Sequence, residues 1–228
     1  MASYRLIQWA ENKYNRLLTV LLWLVITIST PQRYDFARSI GFILCLTVML
    51  EIVHQIDSGR RLMRFYQWLV FSSLLLILLK MVGLFTVFFT QYGQAAIQLM
   101  IFITISFPIF LIEKEIFLTE KVTADTLKGA IAAYLLMGIA WAALYNVVYG
   151  LDSYAFNGIS SLHHQADSAD FLHFSFITLT TVGYGDIEPV NLFARTFADL
   201  EAIAGVMYSS ILIARLVGLY KSNSQEPI

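Results

Sequence analysis

Thr180-Thr181-Val182-Gly183-Tyr184-Gly185-Asp186 decides the reading of this chain. Glycine at alternate positions, Gly183 and Gly185, opens backbone conformations closed to residues that carry a Cβ. Successive carbonyls of such a loop can all point at one axis. Four copies around that axis would present rings of carbonyl oxygens in place of a cation's hydration shell. The loop follows a short apolar run, 171–181, and lies between two long apolar stretches, 127–149 and 193–220. A spanning helix needs about 20 apolar residues, so the short run cannot cross. It reads as a re-entrant half-helix followed by an extended loop, a backbone that survives at membrane depth only when buried in protein or lining water.

Composition places the whole chain in lipid. Of 228 residues, 58% are hydrophobic and 14% charged, with a mean hydropathy of +0.67; a soluble domain is roughly 45–50% apolar and about 25% charged. The net charge of -1 gives no reason to expect nucleic acid as a partner. Cys45, the single cysteine, cannot form an intrachain disulfide, and no Cys/His spacing points to zinc. The first apolar run follows Arg5, Glu11, Lys13 and Arg16 and is not succeeded by a small-residue cleavage site, so it is expected to remain as a membrane helix. No acid/base, nucleophile or phosphate-cradling constellation is present, and an enzyme is not expected.

Apolar runs at 15–30, 36–53, 66–90, 95–112, 127–149 and 193–220 predict six spans. With the N-terminus on the cytoplasmic side, the loop Lys and Arg residues fall inside, except Arg33, Arg38 and Arg195, while Lys80 lies within the third span. Positive charge collects in cytoplasmic loops, so both ends are expected inside and the glycine loop is expected to open outward.

Residues 125–222 resemble the pore domain of tetrameric K⁺ channels: outer helix, pore helix, filter, inner helix. The resemblance rests on Phe174-Ser175-Phe176-Ile177-Thr178-Leu179-Thr180-Thr181-Val182-Gly183-Tyr184-Gly185-Asp186-Ile187-Glu188-Pro189, which follows the family signature almost throughout. It implies that the carbonyls of Thr181, Val182, Gly183 and Tyr184, with the Thr181 hydroxyl, line the K⁺ sites. Gly185 completes the filter, and Tyr184 in place of an aspartate favours K⁺ selectivity. The resemblance is to the prokaryotic six-span type with one pore loop per chain. It implies an all-α integral membrane protein, a homotetramer in the bacterial inner membrane, with membrane lipids as surroundings, K⁺ as the permeant ion and no cofactor.

Domain bounds follow: an N-terminal interfacial segment 1–14, carrying Tyr4, Leu6, Ile7 and Trp9; a peripheral four-helix domain 15–112; and an interfacial linker 113–126 with Ile116, Phe117, Leu118 and Val122. The pore domain 127–221 comprises pore helix 168–180, filter 181–186 and inner helix 193–220. The tail 222–228 is too short for a cytosolic ligand-binding domain. Asp167 and Ser168 are candidate caps of the half-helix, whose partly negative C-terminus would favour a cation in the cavity. Asp152, Asp167, Asp170, Asp186 and Glu188 give the outer mouth an acidic balance that would concentrate cations. Taken singly, Asp152, Asp167 and Asp170 read as solvated loop residues.

The chain departs from the family at two support positions. Where many K⁺ channels carry paired tryptophans, it has His173 and Phe174. Phe174 cannot donate a hydrogen bond to brace Tyr184; His173 either meets Asp186 or faces water or a neighbour. A weak brace predicts filter inactivation that is pronounced or pH-sensitive. Thr180 and Asp186 complete the support set. In the inner helix, Gly205 stands at the family's hinge position, with close helix packing as the alternative reason for a glycine. Helical spacing puts Val206, Ser209 or Ser210, Ile213 and Val217 on the cavity and gate face, and no Pro-x-Pro kink follows. Glu201, ionisable within a span, is a modulatory candidate.

The six-span layout resembles voltage-gated channels, yet the fourth span has no arginine or lysine and contains Pro108, where a kink is expected. Each gating charge is worth about 2.3 kcal/mol per 100 mV, and Lys80 offers at most one per chain, with Glu51 ending the second span. Voltage dependence is therefore expected to be weak or absent. His163 and His164, in the long outer loop, read as a solvated pair rather than a metal site. A cation channel of relaxed selectivity and a non-conducting regulatory subunit are the alternatives. The gating stimulus is open among pH, tension, a ligand and simple leak.

Overall fold

The computed structural model describes residues 2–29, 35–56, 60–81, 91–118, 123–159 and 168–223. Its elements are α1 (Ala2–Ile28), α2 (Asp35–Gln55), α3 (Arg60–Met81), α4 (Gln91–Leu118), α5 (Ala124–Leu151), β1 (Phe156–Asn157), α6 (Ser168–Leu179), β2 (Glu188–Pro189) and α7 (Leu192–Asn223). Among the described residues four stretches are long and apolar enough to cross a membrane: Arg60–Leu79, Gly93–Leu118, Ala124–Leu151 and Leu192–Arg215. The apolar parts of α1 and α2, Tyr14–Ile28 and Ser39–Gln55, fall short of that length. The side chain of Lys80, the outer-loop His163 and His164, and Asp167 lie outside the described residues.

Helix bounds differ from the apolar runs most at α1, α3 and α4; α3 starts at Arg60, six residues before the run at 66. α1 is continuous from Ala2, so residues 2–14 and the first span form one helix. α4 runs through Pro108 and on to Leu118. Proline withholds one helical N–H, yet the helix is uninterrupted and continues past the apolar run through Glu113, Lys114 and Glu115, which are polar but good helix formers. α5 begins sharply at Thr123: its hydroxyl accepts from the Thr126 N–H at 3.1 Å, and the Thr126 hydroxyl accepts from the Thr123 N–H at 3.3 Å. This reciprocal cap satisfies two otherwise orphaned donors, an arrangement worth about 1 kcal/mol.

The core centres on α5, whose buried face is built from Gly129, Ala130, Ala132, Ala133, Gly138, Ala140, Ala142 and Ala143. Small residues let backbones approach closely where lipid removes the hydrophobic drive between helices. At Gly138 an added Cβ would stand 2.6 Å from the Phe176 ring of α6, so glycine leaves room for that ring. Leu17, Leu21 and Leu24 of α1, Ile105 and Ile112 of α4, and Leu136 of α5 are fully buried in the same cluster. A second cluster joins α2, α3 and α4 through Leu46, Val53, Tyr66, Val70, Ile77 and Leu111, with Tyr66 stacked on Phe107 at 5.0 Å.

Polar contacts tie the layers. Arg16 pairs with Glu51 at 2.9 Å between α1 and α2, and the Tyr14 hydroxyl donates to Glu115 at 2.8 Å. The hydroxyls of Ser73 and Thr104 meet at 2.9 Å between α3 and α4. Near its C-terminal end, α7 reaches back to α4, where the Arg215 Nε donates to the Ile116 carbonyl at 3.2 Å and its guanidinium lies 5.6 Å over Phe117.

Candidate functional site

The half-helix α6 ends at Leu179, and the loop after it is strung from its last carbonyls. Thr180 N–H donates to Phe176 O at 3.0 Å and Thr181 N–H to Thr178 O at 2.9 Å. Val182 and Gly183 N–H both donate to Ile177 O, at 2.8 and 3.1 Å. Thr181, Gly183 and Gly185 have φ of 59°, 55° and 76°, while Val182 and Tyr184 between them do not have positive φ. In an ordinary strand successive residues face opposite ways; reversing the backbone hand at every second residue turns successive peptide groups toward one side. A left-handed non-glycine residue costs roughly 1–2 kcal/mol, and among the described residues Thr181 alone bears it. Such strain concentrates at functional sites.

Residues 180–186 are all exposed in the single chain. A Cβ at Gly183 or Gly185 would meet nothing within 4 Å, so these glycines are needed for backbone hand rather than for space. Gly205 serves the opposite need, and Gly158, with φ of 82°, serves both. A Cβ on Gly158 would strike the Asp186 carbonyl, and one on Gly205 the Leu179 carbonyl. Close approach of α7 to the C-terminus of α6 is therefore a sufficient reason for the glycine at 205.

His173 is found against Asp186, with Nε2 and Oδ2 2.9 Å apart. Its ring lies parallel to Tyr184, 9° between planes and 6.0 Å between centroids. Phe174 goes elsewhere: it is buried in a ring cluster with Tyr145 at 4.9 Å and Phe156 at 5.6 Å, both edge-on, and Phe156 in turn meets Phe171 at 5.2 Å. Such pairs contribute about 0.5–1.5 kcal/mol each beyond area burial. The cluster wedges α6 against α5, so the two support positions divide the work. His173 holds the outer end of the loop, and Phe174 anchors the half-helix.

The outer end is also strapped from the other side. β1 and β2 pair antiparallel, Phe156 with Pro189 and Asn157 with Glu188, and Val190 N–H donates to Ala155 O at 2.8 Å. Asp152, at the C-cap of α5, accepts from the Tyr154 N–H at 3.0 Å and from Asn191 Nδ2 at 2.8 Å. The Asn191 side chain then caps α7 through the Ala194 N–H at 2.8 Å. Asp152 is thus a structural clasp rather than a freely solvated carboxylate. Ser168 opens α6.

Glu201 is fully buried. It meets the hydroxyls of Tyr145 and Ser175, each at 2.5 Å, and Ser175 Oγ also lies 2.8 Å from the Gly138 carbonyl. Tyr134 donates to the Leu179 carbonyl at 3.1 Å. Ser175, Tyr145 and Tyr134 were not singled out in the sequence. The only signal there was polar residues inside apolar runs. On α7 the inward stripe is Glu201, Gly205, Tyr208, Leu212 and Arg215, whereas Val206, Ser209, Ile213 and Val217 are exposed on the other face.

A helical membrane protein with a half-helix and an alternating-hand loop between two long apolar helices defines a channel-like class. Comparison with known proteins points the same way. Residues 133–221, from within α5 to within α7, match a family model described as an ion channel. The chain is similar to Protein LctB of Bacillus caldotenax, 28% identical over 108 residues, which cover 43% of this chain and 75% of that protein. Its similarity to Protein LctB of Geobacillus stearothermophilus is 28% over 102 residues, with the same coverage. No solved structure matches it. The family match supports ion-channel function for the C-terminal part.

Proposed function

We propose that this chain forms a K⁺-selective channel, four copies assembling around one axis with their 181–185 loops side by side. The observation that carries this reading is the alternating backbone hand at Thr181, Gly183 and Gly185 within the sequence TVGYG, hung from the Ile177 carbonyl. In a four-fold ring the carbonyls of Thr181, Val182, Gly183 and Tyr184, with the Thr181 hydroxyl, coordinate K⁺ in place of water. Conduction is passive, and no cofactor takes part. One pore loop per chain calls for four chains.

Exposed apolar side chains support assembly. Val182 and Tyr184 in the loop, and Ile203, Val206, Met207 and Ile213 on α7, are exposed in the single chain; in this reading four copies meet there and around the pore. Val206, Ser209, Ile213 and Val217 line the cavity and inner gate in this reading. α1 to α4 form a peripheral domain, giving six spans with both termini cytoplasmic in a bacterial inner membrane. The distribution of Lys and Arg supports that orientation. Purified protein reconstituted in liposomes is expected to release K⁺ down its gradient, and protein-containing vesicles no leakier than empty ones would overturn the proposal.

A further inference from the structure

Three side chains meet behind the filter with no access to water: Glu201 from α7, Ser175 from α6 and Tyr145 from α5 are each fully buried. They make three short oxygen–oxygen contacts: Tyr145 Oη to Glu201 Oε2 at 2.5 Å, Ser175 Oγ to Glu201 Oε1 at 2.5 Å, and Ser175 Oγ to the Gly138 carbonyl at 2.8 Å. Each contact needs one hydrogen. The two hydroxyls supply one apiece. A carboxylate and a carbonyl only accept, so with Glu201 ionised one of the three pairs would hold two oxygens together with no proton between them. Among the described residues the Tyr145 hydroxyl reaches no acceptor other than Glu201, so the shortage falls on Ser175.

We propose that Glu201 is a neutral acid that donates its proton to Ser175, freeing the Ser175 hydroxyl to hold the Gly138 carbonyl. It is a positioning residue: it ties the middle of the half-helix to both long pore-domain helices, two residues before the Ile177 carbonyl from which the filter hangs. Its surroundings fit. From α5 it is faced by Tyr145, with Tyr134 further off; from α6 by Ser175; on α7, Asp199 lies near Tyr145. Among the described residues no cation pairs with it. Removing the proton takes one hydrogen out of the brace, so strongly alkaline pH releases α6 from α5 and disturbs the filter. That consequence rests on the channel reading; the proton itself does not.

Infrared spectroscopy of the purified protein in lipid separates the two. At neutral pH the wild type should show a buried carboxylic-acid C=O band that is absent in Glu201→Gln. In Tyr145→Phe that band should move to higher wavenumber, because its C=O loses a hydrogen-bond donor. Absence of the band in the wild type overturns the proposal whether or not the protein conducts. In recordings, Glu201→Ala should lose current. Glu201→Gln should rescue it, because an amide can donate to Ser175 and accept from Tyr145, and should no longer respond to alkaline pH. If Glu201→Gln loses current as fully as Glu201→Ala while folding normally, the positioning role is wrong. A wild type with the band but no current would sink the channel reading and leave the proton assignment standing.

Discussion

At the scale of single residues, the Tyr184–Asp186 end of the glycine loop is held by one exposed pair. His173 and Asp186 are about half exposed, 45% and 51%, and 2.9 Å apart. His173 touches Asp186 and lies parallel to the Tyr184 ring, so both ends of this brace are lost when the imidazole is replaced. In the proposed channel, His173→Asn is expected to speed inactivation. Macroscopic current decay in the variant and the wild type checks this; an unchanged time course would contradict it. Gly205 makes a second case. Its replacement by alanine drives a Cβ into the Leu179 carbonyl, an overpacking worth about 1–3 kcal/mol, and should lower the melting temperature of the assembled protein together with its current. A variant with unchanged melting would show that α7 can shift away at no cost. Both residues could be picked out from the signature and its spacing. The contacts of Glu201 could not: Ser175 and Tyr145 are 26 and 56 positions away, and no periodicity links them. Asp152 was misread for the same reason, since its partner Asn191 is 39 residues distant.

At the scale of elements, the long apolar runs could be read in advance because lipid-facing and core-facing residues are both apolar, giving unbroken stretches near α3, α4, α5 and α7. Where helices continue into polar sequence, as at Glu113–Glu115 in α4, hydropathy falls while the backbone ladder goes on. That is why the bounds of α1 and α4 could not be read from composition. α4 packs on α5 and, through Ile116 and Phe117, holds Arg215 of α7. The layout would couple movement of α4 to α7, but from Gln91 to Phe110 α4 carries no Lys or Arg to be moved by a field. At about 2.3 kcal/mol per charge per 100 mV, a sensor without charges gives a shallow conductance–voltage relation. Recordings over a wide voltage range should find one; a steep sigmoid would show that charge elsewhere crosses the field.

At the scale of the whole molecule, the single chain is half of an argument. α1, α2, α4 and α5 share one buried core and α3 joins a second, whereas most of the apolar surface of α7 and all of the 180–186 loop are open. In the proposed channel, coordination needs carbonyls from several sides, so selectivity would belong to an assembly of chains and not to one strand. The loop's chemistry was legible in seven residues because backbone hand is dictated locally, by glycine and by the preceding helix. The proposed assembly of four chains rests on that loop. The most direct test is the reversal potential of current through the purified, reconstituted protein with K⁺ on one side and Na⁺ on the other. The account predicts reversal far toward the K⁺ equilibrium potential; reversal near zero would contradict it.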